Sequence, residues 1–116
     1  MKAKDQRLAQ LRATISEVEP IAAFAMYNEG TVILDVRDLD EISQGSPKGA
    51  LRIQRGFLEL TIEDKVPNLD QPILLICAGG LRSLFAADDL QRLGYRQVSS
   101  VAGGFDRWKG AGLPFE

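Results

Sequence analysis

ILLICAGGLRS, residues 73–83, is the stretch of the chain that decides the fold. Its first four residues are an unbroken apolar run, which is typical of a central parallel strand that is covered on both faces. Two glycines follow the run, and apolar residues then recur at helical spacing over 84–93 until Gly94. A buried strand that passes through a glycine loop into an amphipathic helix indicates an α/β domain with a mostly parallel sheet.

Strands are predicted on both sides of this stretch. Residues 31–36 and 98–101 are β-rich runs, and 50–53 is predicted as a brief strand. Between the strands, we predict a short polar helix or loop at 37–41, a loop or helical turn at 57–62 and a polar connection at 63–72. After the last strand, a last helix begins over 103–108 and ends by Gly112 and Pro114.

A further helix is predicted between Ser16 and Gly30. Ser16 and Glu19 have the spacing of a capping box, and Pro20 fits equally well in the first turn of a helix. In either case the helix begins within this segment and stops by Gly30.

The first residues of the chain are basic and amphipathic. Leu8, Leu11 and Ile15 follow helical spacing. We therefore predict an N-terminal amphipathic helical extension at 1–14, followed by a single domain at 15–116. Packing of this helix onto the domain is favoured over a role in docking a partner.

Composition restricts the class of protein. The chain has 116 residues, 45% of them hydrophobic, and a formal net charge of −2. This length suits one globular domain, and the charge supplies no overall basic field for direct nucleic-acid binding. No apolar run could span a membrane and no secretory signal is visible, so the expected location is the cytoplasm.

The reactive side chains are few. The chain has one cysteine and no histidine, which excludes an internal disulfide, the usual zinc-ligand sets and a Cys-His pair. We predict no metal and no other cofactor. Any chemistry must come from the thiol, from carboxylates, from Arg or Lys, or from backbone dipoles.

Cys77 stands where open α/β sheets form their ligand sites, at the carboxyl end of a central strand. The following glycines allow N–H groups to turn inward, and the start of the next helix adds unpaired N–H donors. Arg82 supplies a cation and Ser83 a hydroxyl. These donors favour a thiolate over a neutral thiol and would hold a persulfide anion. The alternative is that Cys77 is an inert buried thiol in a turn.

Four motifs, in register over about residues 15–115, resemble those of the rhodanese homology domain. They are ILDVR (33–37), Glu41 with the turn at 45–50, CAGGLRS (77–83), and VAGGF (101–105) with Trp108 followed by GLP (112–114). The resemblance implies a three-layer α/β/α fold around a central, mostly parallel sheet. One departure is Ser46, which stands where the family's turn usually has histidine.

The resemblance also implies a function. It predicts a sulfurtransferase of the thiosulfate sulfurtransferase type, in which Cys77 forms a persulfide with thiosulfate or another small anionic sulfane donor and passes the sulfur to an acceptor such as a protein thiol. The substrate-binding residues implied are Ala78, Gly79, Gly80, Leu81, Arg82, Ser83 and Arg37. Arg37 matches a family arginine at the mouth of the site; its alternative is an ion pair with Glu41 or Asp38.

Other interpretations of the same residues remain open. The related phosphatase and arsenate reductase pattern has five residues between Cys and Arg, whereas four separate Cys77 from Arg82 here. A non-catalytic sulfur-carrier, sensing or docking module is the alternative to an enzyme. Phe105 and Trp108 are predicted to pack in the core under the last helix.

Overall fold

The computed structural model describes all residues 1–116. The strands are β1 (Ser16–Val18), β2 (Val32–Asp35), β3 (Leu51–Arg52), β4 (Ile73–Ile76) and β5 (Val98–Val101). The α-helices are α1 (Ala3–Thr14), α2 (Pro20–Asn28), α3 (Leu39–Ile42), α4 (Leu58–Lys65), α5 (Arg82–Leu93) and α6 (Gly104–Gly110), and a 3₁₀ turn (Arg55–Phe57) leads into α4.

The five strands form one sheet in the order β1-β5-β4-β2-β3, and every pairing is parallel. The predicted parallel sheet is thus confirmed, with β4 at its centre. From β2 the chain moves outward to β3, whereas from β4 it moves outward to β5 on the other side. The carboxyl ends of β2 and β4 therefore form the switch point at which such sheets bind ligands.

Both faces of the sheet are covered, which confirms the predicted three-layer arrangement. Side chains of a strand alternate between the faces, so Ile73, Leu75 and Cys77 lie in one core cluster while Leu74 and Ile76 lie in the other. Helices α1, α4 and α5 contribute to the first cluster, and α2 and α6 to the second. The central strand is accordingly apolar without interruption.

The predicted capping box at Ser16 is wrong. Residues 16–18 form the edge strand β1, which pairs with β5, and α2 begins with Pro20 in its first turn. A three-residue strand is too short to show alternation, and its hydrogen-bond partners come from the far end of the chain. The alternative start at Pro20 is confirmed.

The segment at 57–72 contains more helix than predicted. Helix α4 runs from Leu58 to Lys65, so the polar connection begins only after it. Leu58 and Ile62, four residues apart, are both fully buried. Packing of these two side chains in the core stabilises the helix, and a segment of eight residues is too short for its spacing alone to predict more than a helical turn.

Helix α1 packs against the rest of the molecule. Leu8 and Leu11 are buried in the same core cluster as α5, and the Arg7 guanidinium donates to the Asp88 carboxylate at 2.9 Å. The division of the chain into an extension and a domain at residue 14 stays a prediction. None of the helices combines the length and the apolar character that crossing a membrane would require.

Candidate active site

Cys77 lies immediately after β4, at the switch point of the sheet, and the loop that it begins leads directly into α5. Only 1% of the residue is exposed. In the loop, Gly79 and Leu81 are exposed, whereas Gly80 and Ser83 are buried. The loop thus presents one side to solvent and folds the other around the sulfur.

Hydrogen-bond donors converge on the Cys77 sulfur. The N–H of Gly80 lies 3.1 Å from Sγ and the N–H of Ser83 lies 3.3 Å from it. The Ser83 hydroxyl oxygen is a further 3.4 Å neighbour of the sulfur. The thiol is buried, as the inert alternative requires, but the amides point towards it, as the predicted anion site requires. Hydrogen-bond donors placed in this way are able to stabilise a negatively charged sulfur.

Gly80 is required by the shape of the loop. Its φ is +95°, and a Cβ there would lie 2.9 Å from the backbone nitrogen of Gly103. Gly79 has no such restriction, because a Cβ on it would meet nothing within 4 Å. The two adjacent glycines therefore differ: only Gly80 is needed for the backbone to turn its N–H inward.

The start of α6 holds the loop from behind. The N–H of Phe105 donates to the carbonyl of Cys77 at 2.7 Å, and the N–H of Asp106 donates to the carbonyl of Ala78 at 3.1 Å. Gly104 has a φ of +60°, and a Cβ on it would collide with both carbonyl oxygens. The sequence showed the paired glycines before the last helix but not that they fasten the cysteine loop.

A second hydroxyl extends the network into the sheet. The Oγ atoms of Ser83 and Ser100 are 2.7 Å apart, and both residues are fully buried. Ser100 lies in β5, beside β4. Ser100 was not predicted as a site residue; the available signal was a serine within a strand that has to be buried on both faces.

Arg82, the predicted cation of the site, is already paired. Its two terminal nitrogens donate to the two carboxylate oxygens of Glu41, each at 2.7 Å. This bidentate bond holds the pKa of Glu41 below its usual range. The same bond raises the pKa of Arg82, with a smaller contribution from Cys77. From the sequence, Glu41 was considered as an ion partner of Arg37, and its contact with Arg82 was not predicted.

Arg37 has neither of its predicted ion partners. Its guanidinium pairs with the buried Asp35 carboxylate at 2.8 Å, donates to the carbonyl of Gly45 at 2.6 Å and lies over the Phe105 ring, 4.3 Å from the centroid. The predicted pairing with Glu41 or Asp38 is therefore wrong. Because residues two apart on a strand share a face, Asp35 was the neighbour within reach.

The same network accommodates the departure from the family pattern. The Ser46 hydroxyl donates to Asp35 at 2.8 Å, so a serine satisfies the buried carboxylate at the position where the family usually has histidine. Only 5% of the Arg37 side chain is exposed. Arg37 is therefore linked to the cysteine loop only indirectly, because it packs on the Phe105 ring and the Phe105 N–H binds the Cys77 carbonyl. Its side chain does not line a solvent-open entrance to the site.

The cavities of the molecule lie elsewhere. The larger, of about 690 Å³, is bordered by Thr31, Val32, Ala50 and Leu51, at the amino ends of β2 and β3. Neither cavity borders Cys77. No group of three or more His, Cys, Asp or Glu side chains is placed to hold a metal ion.

The fold and the site define a class of protein: a three-layer α/β domain with a single cysteine held in an amide-lined loop at the switch point of a parallel sheet. The family model of the rhodanese-like domain matches residues 22–111. The chain belongs to the rhodanese-like domain family, as its motifs predicted.

Named relatives agree with this assignment. The chain is 33% identical over 104 residues to thiosulfate sulfurtransferase GlpE of Haemophilus influenzae, covering 89% of this chain and 96% of the relative. A thiosulfate sulfurtransferase GlpE of Actinobacillus succinogenes is 35% identical over 105 residues, covering 87% of this chain and 90% of the relative. These relatives support sulfurtransferase activity in general and an enzyme of the predicted type.

One solved structure has the same fold over the whole chain. It is a protein of unknown function from Rhodopseudomonas palustris, described as a possible tyrosine phosphatase, which is 32% identical. The two superpose with a TM-score of 0.88, over 100% of this chain and 96% of the other. The fold prediction is confirmed by this similarity.

Proposed function

We propose that the protein transfers sulfane sulfur through a persulfide on Cys77. The Cys77 thiolate attacks the outer sulfur of thiosulfate, the sulfur–sulfur bond of the donor breaks and sulfite leaves with the bonding electron pair. The cysteine then carries a persulfide anion. An acceptor thiolate attacks the outer sulfur of this persulfide and regenerates the Cys77 thiolate, so that each half-reaction conserves charge.

The observation that carries this proposal is the convergence of the Gly80 and Ser83 N–H groups on Sγ, at 3.1 and 3.3 Å. The reaction begins with an anionic sulfur and ends its first half with an anionic persulfide. The charge lies on Sγ in the first state and on the outer sulfur bonded to Sγ in the second, so donors fixed around Sγ lie close to the charge in both states, which is the advantage of a preorganised site. The Ser83 hydroxyl oxygen accepts from the Cys77 thiol at 3.4 Å, and the hydroxyl can rotate to donate once the thiol has lost its proton.

The other loop residues have distinct roles in this proposal. Ala78, Gly79 and Leu81 contribute backbone to the loop, and Gly79 and Leu81 lie on its exposed side. Arg82 contacts the leaving oxyanion through N–H groups that Glu41 does not use, since each terminal nitrogen of a guanidinium carries two. Arg37 acts as a positioning residue, because its guanidinium supports Phe105, whose N–H binds the Cys77 carbonyl.

The test is intact-mass spectrometry after incubation with thiosulfate. We expect the chain to gain the mass of one sulfur atom, to lose it with dithiothreitol, and to gain nothing when it carries Cys77→Ser. Because Cys77 is the sole cysteine, no other thiol can account for the gain. An unmodified wild-type chain after exposure to thiosulfate and to other sulfane donors would contradict the proposal.

Turnover separates an enzyme from a sulfur carrier. With excess thiosulfate and a thiol acceptor, an enzyme releases sulfite continuously, whereas a carrier or docking module releases at most one equivalent. The phosphatase alternative is checked in parallel with p-nitrophenyl phosphate. The loop of four residues between Cys77 and Arg82 favours a single sulfur with its attached group over a fully enclosed phosphate, so we expect no hydrolysis.

A further inference from the structure

The bidentate bond between Glu41 and Arg82 joins the two sides of the switch point. Glu41 lies in α3, which follows β2, and Arg82 is the first residue of α5, which follows β4. Each side chain is about one third exposed, 31% for Glu41 and 38% for Arg82. The pair therefore lies at the surface beside the cysteine loop, where an incoming donor would meet it.

The Glu41 carboxylate occupies the position on the Arg82 guanidinium where an oxyanion of a donor would bind. A guanidinium binds two oxygens of a carboxylate or of a sulfonate-like group in the same forked arrangement. In the structure this fork is filled by Glu41 from within the chain. A doubly charged donor must therefore either displace the Glu41 carboxylate or bind beside it, and both are electrostatically unfavourable.

We propose that Glu41 is a specificity-determining residue that disfavours dianionic sulfur donors relative to donors with a single negative charge. This inference rests on the proposed sulfur transfer. The pKa of Glu41 is held below its usual range by its bond to Arg82, so the carboxylate stays charged throughout the neutral range. The discrimination between dianionic and singly charged donors is therefore present at neutral pH.

Thiosulfate and methanethiosulfonate form a matched pair of donors for this question. Both present an outer sulfur bonded to a sulfonyl sulfur, but a methyl group in the second replaces one oxyanion of the first. With methanethiosulfonate, the Cys77 thiolate attacks the outer sulfur, the sulfur–sulfur bond breaks and methanesulfinate leaves with the electron pair. The product on the chain is the same Cys77 persulfide anion.

The experiment measures kcat/KM for both donors in the wild type and in Glu41→Gln. Glutamine keeps the length of the side chain and an oxygen that can still accept the Asp38 N–H bond of the α3 cap. We expect kcat/KM to rise about five-fold with thiosulfate and to change less than about two-fold with methanethiosulfonate. An equal change for both donors, or no change, would overturn the inference.

Asp40→Asn is the matched control. Asp40 is exposed, lies in the same helix and forms no ion pair, so its substitution removes the same charge without releasing Arg82. We expect it to change the ratio of the two donors by less than about two-fold, because an exposed charge without a direct contact is well screened. A shift as large as that of Glu41→Gln would show a general charge effect and overturn the specific role.

A binding measurement separates this inference from the proposed reaction. Titration of thiosulfate and methanethiosulfonate into chains that carry Cys77→Ser requires no sulfur transfer. Adding Glu41→Gln to such a chain should tighten thiosulfate binding selectively, even if the wild type forms no persulfide. If Glu41→Gln does not fold, Glu41→Met replaces it; failure of both to fold would assign Glu41 a structural role and overturn the inference.

Discussion

Gly80 is the residue on which the direction of the loop amides depends. It adopts a left-handed backbone conformation at φ +95°, and its Cα lies against the backbone of Gly103. An added methyl group would both strain this conformation and push the loop away from α6. The N–H groups aimed at Cys77 would then be displaced from the sulfur.

We therefore expect Gly80→Ala to lower the rate of persulfide formation by about ten-fold or more, as is typical when an anion-stabilising donor is misplaced. Single-turnover mass spectrometry with thiosulfate measures this rate. Gly79→Ala is the control, because a methyl group at that position meets nothing within 4 Å. Similar losses in the two variants would contradict the distinction between them.

Helix α1 is the element for which a packing role and a docking role can be distinguished most directly. Leu11 is 1% exposed and belongs to the core cluster that includes α5, whereas the chain around it is basic and exposed. A helix used only for docking would not need to bury such a side chain. The structure thus favours the packing role that the spacing of Leu8 and Leu11 predicted.

Leu11→Ala is expected to lower the free energy of unfolding by about 2–5 kcal/mol, the usual effect of removing a fully buried leucine side chain. Urea denaturation followed by circular dichroism measures the change. Ile21→Ala provides the comparison, because Ile21 is 69% exposed on α2, and it should cost less than about 1 kcal/mol. An unchanged midpoint for Leu11→Ala would instead favour a helix that docks a partner.

At the scale of the whole molecule, two carboxylates give the stability opposite dependences on pH. The lowered pKa of Glu41 means that its pair with Arg82 stabilises the folded state above the ordinary glutamate range and loses this effect as the pH falls. Burial raises the pKa of Asp89, and the charge of Glu59 adds to the shift. The ionised Asp89 therefore destabilises the folded state at neutral pH.

Asp89→Asn should consequently raise the urea midpoint at neutral pH, and the gain should vanish below about pH 3, where the carboxyl is protonated in both folded and unfolded chains. Asp88→Asn, at the neighbouring residue, is the control, and we expect it to change the urea midpoint in the opposite direction. Asp88 accepts a hydrogen bond from Arg7 at 2.9 Å and forms an ion pair with Arg92 at 3.1 Å, so its loss should lower the midpoint. A lower midpoint for Asp89→Asn at neutral pH would contradict the prediction.

The short elements β1 and α4 show that contacts between residues distant in the chain can determine secondary structure where the local sequence pattern is weak. β1 was not recognised from the sequence and α4 was predicted only as a loop or helical turn, because a three-residue strand and an eight-residue helix are too short to show clear periodicity. β1 exists because β5 supplies its hydrogen bonds, and α4 exists because the core receives Leu58 and Ile62. Both depend on neighbours that are distant in the chain.

Local sequence patterns were sufficient to predict the strand–loop–helix unit around Cys77 and the parallel α/β class, because apolar periodicity and glycine positions can be read directly from neighbouring residues. The family was predicted from the resemblance of four motifs in register. The partners of the charged and hydroxyl groups, in contrast, are set by the folded arrangement of the chain. Glu41 meets Arg82 across 41 residues, and Ser100 meets Ser83 across 17. Such contacts depend on the order of the strands in the sheet, which brings together residues that are far apart in the chain. No local sequence pattern specifies the distance between two such side chains.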